Sequence, residues 1–164
     1  MAQEIERKFL VAGDSWRALA VGQPYCQGYI ATAHIGQSVR IRTVGNQGYL
    51  TIKGPVRGLS RAEFEYKIPV EDAQEMLETL CPHPLIEKTR YRLPVDDVVW
   101  EIDEFFGENA GLVVAEVELS SEDQQIVLPA WVGQEVTGEA RYYNASLAKD
   151  PYSQWQISEK KSRP

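Results

Sequence analysis

Charged side chains recur two residues apart along this sequence, mostly in doublets of one sign. Glu4, Glu6 and Lys8 share a parity, as do Arg40 with Arg42, Glu63 with Glu65 and Lys67, and Lys88 with Arg90 and Arg92. Glu101 pairs in the same way with Asp103, and Glu116 with Glu118, while Lys53 stands alone in its segment. In an extended chain, residues two apart project to one face. Two arginines or two glutamates side by side repel unless something of opposite charge lies between them. An anion shared by the arginines and a cation shared by the glutamates would each remove that repulsion. The set holds eight acids and eight bases, so it is neutral, and the whole net charge of −7 lies outside it. An enclosed ionic site needs such balance, because like charges cannot crowd in a low dielectric without counterions.

The chemistry that suits these residues is the handling of a phosphate chain carrying its own metal ions. Guanidinium forks and ammonium groups bind phosphate oxygens. Carboxylates hold hard divalent cations such as Mg2+ or Mn2+. A metal bridging phosphate oxygens offsets charge in the transition state and orients a water for in-line attack. Other chemistries lack their residues: there is no P-loop and no Ser-His-Asp or Cys-His arrangement. His34 and His83 read as surface residues, and Cys26 and Cys81 as isolated buried thiols rather than zinc ligands. The competing reading is a solvated sheet face with apolar packing behind it. Ordinary exposed faces mix Thr, Ser, Gln and Lys, so the same-sign doublets favour a ligand site.

Strands must position these groups. Period-2 alternation predicts strands over Glu4–Val11, Pro24–Ala31, Ser38–Val44, Gly48–Gly54, Arg61–Val70, Leu85–Leu93, Val98–Phe106 and Leu112–Ser120. Turn chemistry separates them at Gly45–Gly48, Asp96-Asp97 and Gly107–Gly111. Opposite the charges lie Ile5 and Phe9, Val39 and Ile41, Leu50 and Ile52, Phe64 and Tyr66, Trp100 and Ile102, and Val117 and Leu119. Helices are expected at Asp14–Leu19, capped by Asp14 or Ser15, from Val70 to Leu80, and at Arg141–Lys149. Eight antiparallel strands with few helices predict a barrel or sandwich.

These residues resemble the CYTH superfamily, the triphosphate tunnel metalloenzymes. Glu4-Ile5-Glu6-Arg7-Lys8 matches its N-terminal ExExK signature, and the likeness continues through Arg40/Arg42, Thr51-Ile52-Lys53, Glu63/Glu65, Lys88/Arg90, Glu101-Ile102-Asp103, Glu116/Glu118 and Arg141-Tyr142-Tyr143-Asn144. The resemblance implies an α+β, mainly β fold: an eight-stranded antiparallel closed β-barrel, or tunnel, with a few external helices. It implies that Lys8, Arg40, Arg42, Lys53, Lys88 and Arg90 hold phosphates and that Glu4, Glu6, Asp103, Glu116 and Glu118 hold Mg2+ or Mn2+. Glu63 and Glu65 would bind metal or position water. Arg141 would reach the tunnel from the C-terminal helix region, ahead of Lys149.

The activity this implies is metal-dependent hydrolysis of inorganic triphosphate to diphosphate and phosphate. The alternatives are a class IV-like adenylyl cyclase, a thiamine triphosphatase and a non-catalytic polyphosphate-binding module. The partner is therefore a triphosphate-bearing small molecule. The net charge argues against nucleic acid, and no stretch is long and apolar enough to expect a membrane span. The charged N-terminus is unlike a secretory signal, which predicts a cytoplasmic protein. Residues 1–157 are expected to form one domain, with 158–164 a disordered tail. Trp131, Trp155 and Tyr152 are expected to cover the barrel's exterior, with a homodimer surface as the alternative.

Overall fold

The computed structural model describes residues 3–155, so the expected tail at 158–164 lies outside the described residues. Among the described residues, nine strands form one sheet: β1 Gln3–Val11, β2 Gly22–Ile30, β3 Ser38–Val44, β4 Gln47–Lys53, β5 Ser60–Ile68, β6 Ile86–Val95, β7 Val98–Phe105, β8 Val113–Glu118 and β9 Val132–Glu135. Helices α1 Val70–Thr79 and α2 Asn144–Lys149 accompany them, and residues 152–155 are also helical. No described helix is long and apolar enough to cross a membrane.

The sheet closes on itself. Every neighbouring pair is antiparallel, in the order β5-β4-β3-β2-β6-β7-β8-β1, and β1 returns to β5. That seam is short: Gln3↔Ala62, Glu4↔Arg61 and Ile5↔Ser60. Farther along, β1 pairs with β8 from Glu6 to Leu10 and takes β9 at Phe9 and Val11. Closure satisfies edge groups that would otherwise be unpaired. Tight turns set the register of two hairpins. Gly45 has φ 56° between β3 and β4, and Asp96 has φ 55° between β6 and β7; a positive φ matches such turns to strand twist.

Alternation divides the strands into an inner and an outer face. Outside, Phe9, Trp16, Trp100, Ile102, Val117 and Trp131 form one buried cluster. Phe9 and Trp131 flank Trp100, with ring centroids 5.6 and 5.4 Å away. Helix α1 packs Ala73 and Leu77 on Ile41, with Cys81 beside them. The chain after α1 lies so close to β2 that a Cβ on Gly28 would stand 2.8 Å from Cys81 Cβ. A third cluster gathers Ile86, Phe105, Val114, Leu147 and Trp155. Ile86 and Val114 share the parity of Lys88 and Glu116, so at that end the inner face turns apolar, and Leu147 of α2 packs into it.

The predicted strands are present with shifted ends, and β9 adds one the sequence did not announce. Its four residues, VGQE, carry no alternation of their own and are held by pairing to β1. The helix expected over Arg141–Lys149 is split: a 3-10 turn at Ala140–Tyr142 precedes α2. The turn at Ser15–Leu19 is also 3-10, and its N-cap residue Asp14 makes no side-chain cap bond. Trp131 is buried in the outer cluster, whereas Trp155 is buried with the residues that plug the apolar end of the inner face, and Tyr152 packs beside it. The outer face is bare at Ile52, Phe64 and Tyr66, which α1 does not reach.

Trp100 is fully buried and its indole N–H has no partner among the described residues, so its contribution to the fold is that of its ring volume. Trp100→Ala is expected to cost about 3–5 kcal/mol, and Trp100→Phe much less. Urea unfolding of the two variants checks this; equal losses would show that the N–H matters.

Candidate active site

The barrel encloses a cavity of about 920 Å³. Strand parity points Glu4, Glu6, Lys8, Arg40, Arg42, Lys53, Glu63, Glu65, Lys88, Arg90, Glu116 and Glu118 into it, and all of them line it. Arg92 and Glu101 line it too, whereas Lys67 does not.

One group of cations is organised around a single carboxylate. Arg90 donates through Nε to Asp103 Oδ1 at 2.8 Å and through Nη2 to Oδ2 at 2.9 Å. Lys88 Nζ donates to Asp103 Oδ2 at 2.8 Å. The register makes this automatic, because Arg90 faces Asp103 across β6 and β7. Burial works against the Asp103 charge, but Arg90 and Lys88 outweigh it and hold the carboxyl down at about 2. Asp103 has no exposed surface and does not line the cavity. Asp103, expected as a metal ligand, thus sits behind the cavity wall, where both of its oxygens accept from Lys88 and Arg90.

Arg42 and Arg40 complete the basic wall. Burial first, then Arg40 and Arg90, pulls the Arg42 guanidinium down to about 9. Tyr25 lies among the cations, its ring centroid 4.8 Å from Arg42 Cζ and 5.0 Å from Arg90 Cζ. Arg40 Nη2 donates to Thr51 Oγ1 at 3.1 Å, and its Nε is buried without a partner among the described residues. A buried guanidinium N–H left unsatisfied costs free energy until an acceptor arrives. An anionic oxygen is the natural acceptor.

The acidic wall is crowded in the opposite sense. Lys53 Nζ bridges Glu4 at 2.8 Å and Glu63 at 3.3 Å, and Lys8 Nζ meets Glu116 at 3.2 Å. Glu65 accepts from Thr51 Oγ1 at 2.9 Å and lies 3.4 Å from Arg40 Nη2. Glu6 and Glu118 face each other across β1 and β8, and neither forms an ion pair among the described residues. Burial, then Glu116 and Glu4, pushes the Glu6 carboxyl up to about 8. Burial, then Glu4 and Glu101, raises Glu118.

Among the described residues, no three acidic, thiol or imidazole side chains are gathered into a ready-made metal cage, because lysines interleave the carboxylates. Yet the unpaired Glu6 and Glu118 are hard oxygen donors disfavoured as neighbouring anions. They fit a divalent cation on charge and ligand type.

Arg141 is not brought to the cavity. It does not line the cavity; its Cζ lies 3.8 Å from the Trp155 ring centroid, and it sits in the 3-10 turn that precedes α2. Lys149, at the end of α2, lines the cavity instead. Charge patterning also passes over Gln27, Asn144 and Tyr25, which are neutral. The available signal was parity: Tyr25, Gln27 and Tyr29 share one face of β2.

Comparison with known proteins agrees with this geometry. A family model for the CYTH domain matches residues 2–152. An inorganic triphosphatase of Acetivibrio thermocellus is 51% identical over 152 residues, which span 93% of this chain and 97% of that one. An inorganic triphosphatase of Nitrosomonas europaea is 42% identical, with 88% and 96% covered. The crystal structure of an inorganic triphosphatase superposes with a TM-score of 0.62 at 37% identity, covering 88% of this chain and 96% of that one. A Hippeastrum adenylyl cyclase candidate with a dominant triphosphatase activity shares the fold, with a TM-score of 0.58, 17% identity, and 72% and 80% covered.

Glu6 sets a pH dependence. Its folded-state value near 8 lies above the ordinary 4.5, so the native protein holds a proton that the unfolded chain releases. Stability from this group is full below about 4.5 and is lost as pH rises through about 8. Glu4 and Glu118 are raised and add the same sign. In chelator, the thermal midpoint is expected to fall as pH climbs through this window, and Glu6→Gln should flatten the slope. A wild-type midpoint that rises across it would mean that Glu6 is charged in the free protein.

Proposed function

The chain belongs to the CYTH domain family, and from that membership we propose that it is a divalent-metal-dependent hydrolase cleaving inorganic triphosphate to diphosphate and phosphate inside the barrel. The observation that carries this is the segregation of the cavity into a basic wall, Arg40, Arg42, Lys88 and Arg90, and an acidic wall, Glu4, Glu6, Glu116 and Glu118. Only a ligand that brings negative and positive charge together satisfies both. The inorganic triphosphatases at 51% and 42% identity, each matched over nearly its whole length, support the choice of substrate. We read residues 1–157 as one domain of this kind.

The basic wall binds and orients the phosphates. Asp103 holds Lys88 and Arg90 in place, so their remaining N–H groups are presented without a search through rotamers. Such preorganisation is what makes charge stabilisation effective in an enclosed site. Glu6 and Glu118, flanked by Glu4 and Glu116, are the ligands proposed for Mg2+ or Mn2+. A bound divalent ion supplies charge neutralisation at the phosphate oxygens and lowers the pKa of a water. Glu63 and Glu65 line the same cavity and offer carboxylate oxygens to orient the attacking water. Lys149 rather than Arg141 is the basic group proposed to meet the leaving diphosphate, since it alone of the two lines the cavity.

The test supplies triphosphate, ATP and thiamine triphosphate, each with Mg2+ or Mn2+, and measures phosphate and cyclic AMP. Phosphate from triphosphate, abolished by chelator, is the expected result. Cyclic AMP from ATP with little phosphate release would overturn the assignment. Tight triphosphate binding without turnover would make the protein a binding module. Within the active protein, Glu118→Gln is expected to lower activity at limiting metal and to recover partly as metal is raised. Arg40→Ala, which removes charge-assisted bonds of about 1.5–3 kcal/mol, should lower kcat/KM by about tenfold to a hundredfold without lowering the thermal midpoint. A large stability loss in Arg40→Ala would instead mark it as a structural residue.

A further inference from the structure

Two neutral residues touch two cations of the basic wall: Gln27 lies behind it, and Asn144 lines the cavity beside it. Gln27 is completely buried on β2. Arg42 donates through Nε to Gln27 Oε1 at 2.8 Å. Gln27 Nε2 donates to Tyr29 Oη at 2.8 Å and to Asn144 Oδ1 at 3.2 Å. Lys88 Nζ donates to that same Asn144 oxygen at 3.0 Å. The chain is thus Lys88, Asn144, Gln27, Arg42, with a cation at each end.

Donor and acceptor counting fixes every orientation in it. Lysine and arginine can only donate. Lys88 must therefore meet the oxygen of Asn144, not its amide nitrogen. An oxygen there requires Gln27 to present its NH2 group. Gln27 then turns its own oxygen to Arg42, which again can only donate. Neither amide can flip without setting a donor against a donor, and a buried mismatch of that kind costs about 1–3 kcal/mol. The Nε of Arg42 is held from behind, which leaves its two terminal nitrogens directed by the planar fork.

We propose that Gln27 and Asn144 are positioning residues that jointly orient Arg42 and Lys88 for the substrate's phosphates. The proposal rests on the reading of this cavity as a triphosphate site. It also gives α2 a part in the chemistry, because Asn144 is its first residue. Seating of that helix against the barrel end, through Leu147 in the apolar plug, brings the acceptor to Lys88. The basic wall is complete only when the C-terminal segment is docked.

The test measures the KM for inorganic triphosphate and, by calorimetry, the Kd of tripolyphosphate with Mg2+, using the full chain. Gln27→Leu and Asn144→Ala are each expected to raise both constants about tenfold, as loss of one charge-assisted bond implies, while kcat changes far less. In an Arg42→Ala background, Gln27→Leu should have no further effect, because its target is gone. A merely structural Gln27 would lower the thermal midpoint in both backgrounds and leave the constants alone. Should Gln27→Leu not fold, Asn144→Ala alone and combined with Lys88→Ala decides by the same logic. Unchanged constants in the single variants, or an undiminished effect in the double variants, would overturn the proposal. If the wild type binds tripolyphosphate but does not hydrolyse it, the triphosphatase reading fails, and Kd alone still judges the relay.

Discussion

The structure turns on one constraint: charge taken into a closed barrel must be balanced where it sits. Asp103 shows how this is met. Its carboxylate has no exposure and would be very costly alone, yet three N–H donors from Lys88 and Arg90 converge on it at 2.8 to 2.9 Å. The balance is deliberately incomplete elsewhere. Four cations against one close carboxylate, Asp103, and two longer contacts at 3.4 Å, Glu65 to Arg40 and Glu101 to Arg90, leave the basic wall short of negative charge, and Glu6 facing Glu118 leaves the acidic wall short of positive charge. Each deficit matches one component of a metal–polyphosphate complex. A site built this way is less comfortable empty than occupied, which is how binding strain is stored at functional sites in general.

Antiparallel pairing converts that constraint into positions. The register sets Arg90 opposite Asp103, Lys8 opposite Glu116 and Lys53 opposite Glu63. A slip of one residue would turn each of these outward and drive Phe9, Trp100 and Ile102 into the cavity. The outer apolar clusters therefore specify the inner electrostatics, because burying Trp100 leaves Glu101 no choice of face. The apolar end of the inner face has its own use. With Ile86, Phe105 and Val114 packed on Leu147, the plug excludes water from behind Lys88, and exclusion of water strengthens every charge interaction inside.

Most of this was legible because alternation is a covalent fact of strands. The parity of Glu4, Glu6 and Lys8 places them on one face whatever the fold, and same-sign doublets point to a ligand. Four features were not legible, each for a physical reason. The short β9 has no alternation and exists only through its pairing with β1. Arg141 shares its segment with Lys149, but a 3-10 turn sends its guanidinium onto Trp155, and nothing local encodes that choice of aromatic partner. Asp103 shares its parity with the cavity residues, and only the cross-strand register shows the bonds that its oxygens accept from Arg90 and Lys88. Gln27 and Asn144 escaped for a simpler reason, since a search by charge passes over neutral side chains.

Those neutral side chains explain how four cations can share one wall. More carboxylates would quench the repulsion between Arg40, Arg42, Lys88 and Arg90, but they would also cancel the field that attracts phosphate. Amide oxygens accept hydrogen bonds while adding no net charge, so Gln27 and Asn144 fix geometry and leave the potential intact. Thr51 does the same for Arg40 through its hydroxyl, and the Tyr25 ring offers its negative face to Arg42 and Arg90. The carboxylate at closest range, Asp103, is kept out of the cavity at full burial, where its charge orients two cations. The wall therefore holds its shape by dipoles and keeps its charge for the ligand, a division of labour that a site for a highly charged anion requires.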